Sequence, residues 1–153
     1  MNVTIADGDW AELGPACLAI RRRVFIEEQG VSEDEEVDGR DVQCLHFLLK
    51  VEDEPAGTAR LLPDGHIGRV ALLPRWRGFG LGLQLMQAVI AAAGRRGHGV
   101  CELAAQTHAL AFYQRLGFVA HGEEFLDAGL PHYHMRRSLA GDGSEGVTPD
   151  TDW

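Results

Sequence analysis

The sequence predicts a mixed α/β layer domain, in the order strand, helix, three-strand meander, helix, strand, helix, strand. Three observations predict it. Short apolar runs between residues 44 and 73 are separated by the turn sequences Asp53-Glu54-Pro55 and Pro63-Asp64-Gly65, as an antiparallel meander requires. Leu13, Cys17, Ile20 and Val24, and again Leu85, Met86, Val89, Ile90 and Ala93, recur at helical spacing. Between the last meander strand and the second helix stands a turn almost free of side chains, Arg77-Gly78-Phe79-Gly80-Leu81-Gly82.

Taken in order, Val3-Thr4-Ile5 is a short strand. The helix after it has Pro15 in its first turn and runs to about Glu28, with Gly30 as its stop. The acidic segment to Asp41 is a loop or a short second helix. Strands over 44–51, 56–62 and 66–73 form the meander, and the next helix runs from Gly80 to just before Gly97. Residues 100–104 are a strand, 109–116 a short helix closed by Gly117 as a left-handed cap, and 132–139 the last strand. From Ala140 the chain turns to Gly, Asp, Ser and Thr and holds too little apolar surface to pack, so disorder is expected there.

A chain of 153 residues is expected to form one domain, residues 1–139, followed by an acidic tail over 140–153. No apolar run approaches a membrane span and no basic-then-apolar leader opens the chain, so a cytoplasmic location is expected and a membrane is not. Cys17, Cys44 and Cys101 are odd in number and set among apolar residues, which reads as buried thiols in a reducing compartment. The net charge of −9 is local: residues 27–41 hold eight acids against one arginine, and the tail holds four acids. Without a basic patch carrying interleaved aromatics, nucleic acid is not an expected partner. The acidic run is either a solvated loop or an electrostatic funnel for a cationic substrate.

The glycine turn has the make-up of an anion cradle. Glycines reach φ > 0 and let backbone N–H groups converge on phosphate oxygens at a helix N-terminus. The usual competitors do not fit. A P-loop needs Lys-Ser/Thr after the last glycine, where Leu83-Gln84 stands, and a dinucleotide fold needs an acid about 20 residues on, where Glu102 alone offers itself.

What fits is R/Q-x-x-G-x-G/A over Arg77 to Gly82, with Gln106-Thr107-His108-Ala109-Leu110-Ala111-Phe112-Tyr113-Gln114-Arg115-Leu116-Gly117-Phe118 as a second block. Together they resemble the coenzyme A loop and the N-x-x-A-x-x-F-Y-x-x-x-G-F block of the GNAT superfamily of N-acetyltransferases, with Gln106 in place of the usual Asn. Arg23-Val24-Phe25-Ile26-Glu27-Glu28-Gln29 and Glu35-Glu36-Val37-Asp38 resemble the small bacterial ElaA-like and YjcF-like members. The resemblance implies the GNAT (acyl-CoA N-acyltransferase) fold, a mixed, mostly antiparallel central sheet with helices on both faces, whose strands splay around the cradle helix. It implies acetyl-coenzyme A as co-substrate, held by Val70, Ala71, Leu72, Arg75, Arg77, Gly78, Phe79, Gly80, Leu81, Gly82, Gln106 and Phe112. It also implies a backbone N–H near Leu72 on the thioester carbonyl, and dimers formed through exposed strand edges.

Acetyl transfer to an amine then needs positioning, a proton for the leaving thiolate and a base for the amine. Tyr113 is the expected proton donor, its phenol near pKa 10 being about as acidic as a thiol. Glu28 is the expected base; Glu27, His46 and His132, expected on the acceptor side, are alternatives for the base together with His108, His134 and a water chain. His132 and His134 share a strand face without a third ligand, so no metal is expected. Arg23 is expected to order the acidic loop. Two other readings compete: an acyl-homoserine-lactone synthase, which the R-x-V-F-x-x-E-Q block also resembles, and a non-catalytic acyl-coenzyme A sensor, which has no need of Tyr113.

Overall fold

The computed structural model describes residues 1–139, which fall into two compact units. The first holds Met1–Pro63 and Ile67–Val89; the second holds Asp64–His66 and the rest of the described chain. The expected tail lies outside the described residues.

In the first unit, strands β1 (Val3–Gly8), β2 (Leu45–Val51), β3 (Glu54–Leu61) and β4 (Ile67–Leu72) form one antiparallel sheet in that order. Its two faces take different helices. Leu48, Thr58 and Ala71 stand in one register row, and Leu48 and Ala71 pack with Cys17, Ile20 and Val24 of the first helix. Leu49, Gly57 and Leu72 form the adjacent row, where Leu85 of the cradle helix approaches the space a Gly57 side chain would fill. The β2–β3 turn is tighter than the sequence suggests. Glu52 and Asp53 take left-handed φ values of 50° and 67°, so β3 starts at Glu54, and Pro55 stands at its start opposite Lys50, next to a bulge at Ala56.

Helix α1 (Trp10–Arg21) starts earlier than expected. Asp9 and Glu12 form a reciprocal capping box: Asp9 Oδ1 accepts from the Glu12 N–H at 2.9 Å, and Glu12 Oε1 accepts from the Asp9 N–H at 3.2 Å. Pro15 therefore lies inside the helix, where it removes one helical hydrogen bond, and not in the first turn. Over Arg22–Glu28 the backbone widens to a π-helix, with the Gln29 N–H reaching Val24 O at 3.1 Å. The acidic segment contains the short helix α2 (Glu33–Glu36), capped by Ser32.

Helix α3 (Leu81–Arg95) begins in the first unit and ends in the second. The second unit contains β5 (Val100–Gln106), α4 (Leu110–Arg115), β6 (Val119–Asp127) and β7 (Leu130–Ser138), its antiparallel sheet ordered β5-β7-β6. His66, just before β4, makes an isolated parallel bridge to Glu102 of β5. Strand β6 is absent from the sequence reading. It is an edge strand exposed along most of its length, with a bulge near Gly122, so no alternation of apolar residues announces it. Cys101, Leu103, Ala105, Leu116, Phe118 and Met135 are buried in this unit.

Candidate active site

The cradle is built from the end of β4 upward. Gly78 and Gly80 adopt φ values of +88° and +77°, a region that costs a residue with a side chain about 1–2 kcal/mol. A Cβ added at either would meet nothing within 4 Å, so these glycines turn the chain beside open space. The Gly80 carbonyl accepts the first helical bond of α3, from Gln84 N–H at 3.3 Å, which leaves the N–H groups of Leu81, Gly82 and Leu83 without helical acceptors. Phe79 is exposed and packs edge-on to Trp76.

The two arginines beside the cradle are committed to carboxylates. Arg77 donates to Glu28 through both terminal nitrogens at 2.7 Å each, and through Nε to the Leu72 carbonyl at 3.1 Å. Arg75 lies over the Trp76 ring and 3.6 Å from Glu54. The turn itself therefore presents backbone N–H groups and the positive end of α3. The hydrogen bonds from Arg77 hold the Glu28 carboxyl below its ordinary pKa and keep it ionised.

Strand β4 carries a bulge. Thr58 pairs with Ala71 and Arg60 with Gly68, so Arg69 and Val70 together face Ala59. Beyond the bulge the Leu73 N–H bonds Ala56 O at 2.9 Å, pointing toward β3. Alternation then turns the N–H and C=O of Leu72 to the outer edge of β4, where Arg77 already meets the carbonyl. Val70 and Leu72 are half-buried and Ala71 is buried.

The acidic segment folds back over the α1 face of the same sheet. Arg21 binds Glu36 (2.7 Å) and Asp41 (2.8 Å), and Arg60 binds Asp38 and Asp41 at 3.0 Å. Arg69 reaches Glu36, Asp38 and the Glu35 and Glu36 carbonyls. Glu33 pairs with Arg22. Glu36, at 1% exposure, and Asp41, at 6%, are thus core residues, which removes them from any solvent-facing funnel. Arg23 is exposed; Arg21, Arg60 and Arg69 order the segment in its place. The signal for them lies in arginines inside otherwise apolar helix and strand patterns, since a buried arginine is nearly always paired. His46, 1% exposed, packs at a tilt against Trp10 with ring centres 4.7 Å apart and donates through Nε2 to Asp41 O at 2.8 Å, bracing the same segment. Glu27 is exposed.

In the second unit, Tyr113 is 9% exposed and packs edge-on against Phe112 and Phe118, at 5.0 and 6.1 Å between ring centres. Burial pushes its phenol up to about 12, above the value expected from the sequence. Phe112 is half-buried. His108 Nε2 donates to Gln106 Oε1 at 2.7 Å. His132 donates through Nδ1 to Leu130 O at 2.7 Å and stacks on Phe125, as His134 does at 4.2 Å. Cys17, Cys44 and Cys101 are buried and raised in pKa by burial, Cys101 to about 11. Among the described residues no group of three or more His, Cys, Asp or Glu is placed to hold a metal, and no helix is long and apolar enough to cross a membrane.

Comparison with known proteins agrees with this geometry. The family model of the GNAT acetyltransferase domain matches residues 23–139. The uncharacterised N-acetyltransferase YjcF of Bacillus subtilis is 35% identical over 122 residues, covering 77% of this chain and 87% of that protein. The crystal structure of an acyl-CoA N-acyltransferase from Pseudomonas aeruginosa superimposes with a TM-score of 0.80 at 34% identity, over 90% of this chain and 100% of that one. Escherichia coli ElaA does so with a TM-score of 0.81 at 30% identity, again over 90% and 100%. The chain, with its glycine cradle and bulged β4, belongs to the GNAT superfamily of acyl-CoA-dependent acyltransferases, among the small bacterial members.

Proposed function

We propose that the protein moves an acetyl group from acetyl-coenzyme A directly to a primary amine, on a small cationic or lysine-like acceptor, with no covalent enzyme intermediate and no metal. In this reading residues 1–139 are the transferase domain and the cytoplasm is its compartment. The observation that carries it is the conjunction of an open glycine cradle and a Leu72 backbone whose carbonyl meets Arg77 at the outer edge of β4, on one strand–turn–helix segment.

When bound, acetyl-coenzyme A supplies an activated thioester; the chain supplies the rest. The N–H groups over Gly78 to Gly82 hold the pyrophosphate, and Val70, Ala71 and Leu72 line the pantetheine arm. The Leu72 N–H donates to the thioester carbonyl, where negative charge grows during attack. On the second unit, Gln106, whose side chain meets His108, and Phe112 are the residues proposed to contact the cofactor. Tyr113 gives its proton to the departing thiolate. A phenol at about 12 is a weak acid, so it does this only where dry surroundings raise the basicity of the thiolate as well.

Glu28, already bonded twice, fits the orientation of Arg77 better than proton abstraction. The amine proton leaves through water, with exposed Glu27 as the acceptor-side carboxylate. Glu33, Asp34 and Glu35 are what remains of the acidic run to draw in a cationic acceptor.

The test is isothermal titration of acetyl-coenzyme A into the native chain and into a Gly78→Ala, Gly80→Ala variant whose folding is checked by thermal melting. Micromolar binding lost in a folded variant supports the reading and justifies an amine screen followed by thiol release. Absence of binding to the native chain sinks it.

A further inference from the structure

Arg69 has an arrangement that acyl transfer alone does not call for. It holds φ +51° in the β4 bulge, although Gly68 stands next to it and could take that conformation freely. Its guanidinium is closed in by the acidic segment: Nη2 donates to the carbonyls of Glu35 (3.2 Å) and Glu36 (3.0 Å) and meets Asp38 Oδ2 at 3.4 Å, while Nε meets Glu36 Oε2 at 3.2 Å. Those acids are themselves fixed, Glu36 by Arg21 and Asp38 by Arg60. The bulge is thus held from outside the strand.

The placement of the bulge decides which amides β4 shows. Because strand orientation alternates, one extra residue at Arg69–Val70 exchanges the inward and outward N–H groups beyond it. With the bulge in place, Leu73 points to Ala56 on β3 and Leu72 points to the outer edge. If the bulge relaxed, Leu72 would turn inward and the carbonyl donor would be lost.

We propose that Arg69 is a positioning residue for acyl transfer: clamped by Glu35, Glu36 and Asp38, it locks the β4 bulge and so aims the Leu72 N–H at the acyl carbonyl. This rests on the reading of β4 as the strand that holds the thioester. It gives the acidic segment a role in catalysis that does not involve attracting substrate.

The test compares acetyl-coenzyme A with free coenzyme A, since only the former has the carbonyl, by isothermal titration into native protein, Arg69→Ala, Arg69→Gly and Arg69→Lys, each checked by thermal melting. Arg69→Ala loses the clamp and keeps a Cβ at φ > 0. We expect its affinity for acetyl-coenzyme A relative to coenzyme A to fall about three- to tenfold, the worth of one hydrogen bond. Arg69→Lys, with one ammonium for several acceptors, should behave like the alanine variant. Arg69→Gly loses the clamp but tolerates φ +51°, and should recover most of the ratio. Should Arg69→Ala fail to fold, the glycine and lysine variants carry the comparison. A native ratio in all three variants, or an equal loss of both ligands in all three, overturns the positioning role while leaving acyl-coenzyme A binding intact. If the native chain binds neither ligand, the acyltransferase reading falls, and this role falls with it.

Discussion

Arg77 and Glu28 face each other as a two-bonded pair, Nη1 to Oε2 and Nη2 to Oε1, both at 2.7 Å, while Arg77 Nε holds the Leu72 carbonyl at 3.1 Å. One arginine thereby ties the widened end of the first helix to the outer edge of β4, a step before the glycine cradle. The pair is partly exposed, so its worth to global stability is small. Its worth is local geometry.

That geometry separates two roles for Glu28. A general base, once removed, costs roughly 10²–10⁴ in rate. A carboxylate that orients Arg77 costs less, and Glu28→Gln keeps one oxygen to accept from the guanidinium. We expect Glu28→Gln to lower kcat by no more than about tenfold, far short of base removal, and to raise KM for acetyl-coenzyme A. Steady-state kinetics at saturating amine measures this; a thousandfold fall in kcat with KM unchanged would return Glu28 to the base role.

Tyr113→Phe removes the phenol and leaves the edge-on packing with Phe112 and Phe118 in place. Turnover should fall at least about tenfold, the lower reach of general acid catalysis, with coenzyme A affinity kept. Since burial holds the phenol protonated to about pH 12, the native pH–rate profile should show no alkaline loss from this group below about pH 11. Unchanged turnover in the variant removes Tyr113 from the mechanism; no turnover in the native chain with any amine, despite acetyl-coenzyme A binding, favours an acyl-coenzyme A sensor.

The parts of the fold legible in the sequence are those whose signal is local. The strands β2 to β5, α3, α4 and the glycine turn each show their periodicity or their turn chemistry within a dozen residues. The start of α1 was missed because Pro15 reads as a first-turn residue, although Asp9 and Glu12 already carry the capping box. β6 escaped because an exposed edge strand has no buried face to alternate. The acidic run misled for a different reason: Glu36, Asp38 and Asp41 find Arg21, Arg60 and Arg69 at separations of 15 to 33 residues, which no periodicity encodes. The β4 bulge depends on that same network, and so lay out of reach with it.

Gly57 stands opposite Leu72 in the sheet, and a Cβ there would lie 2.6 Å from Leu72 Cδ2 and 3.2 Å from the Ala71 carbonyl oxygen. The leucine tip can rotate, but the backbone oxygen cannot without moving β4. Gly57→Ala should cost about 1–3 kcal/mol in stability, as overpacking does. It should also weaken acetyl-coenzyme A binding about three- to tenfold by displacing the Leu72 N–H. Adding Leu72→Ala should restore part of both, since the proposed contact is made by the backbone of that residue and its side chain is what clashes. Native affinity in Gly57→Ala would show that the β3–β4 spacing does not govern the site.

Two separate pH windows should appear in the thermal stability of the chain. Burial lowers the pKa of His46 below its unfolded value near 6.5, with Arg21 and Arg60 adding to the effect and Asp41 opposing it. A depressed histidine favours folding only while neutral, so its contribution is present above about pH 6.5 and is lost as pH falls toward the folded value. Asp38 is held far below the usual carboxylate range by hydrogen bonds from Arg60, and Asp41 is lowered because its arginine partners outweigh burial. Their contributions are complete above about pH 4 and shrink progressively below it, because the unfolded chain takes up protons there that the folded carboxylates accept only at still lower pH. Melting curves from pH 8 to pH 3 should therefore show a shallow decline between pH 7 and 5 and a steeper one below pH 4. His46→Gln keeps a donor for the Asp41 carbonyl and does not titrate, so it should flatten the first decline alone. Asp38→Asn should lower stability at pH 7 and flatten the second. A native first decline in His46→Gln would remove His46 as the cause of that window.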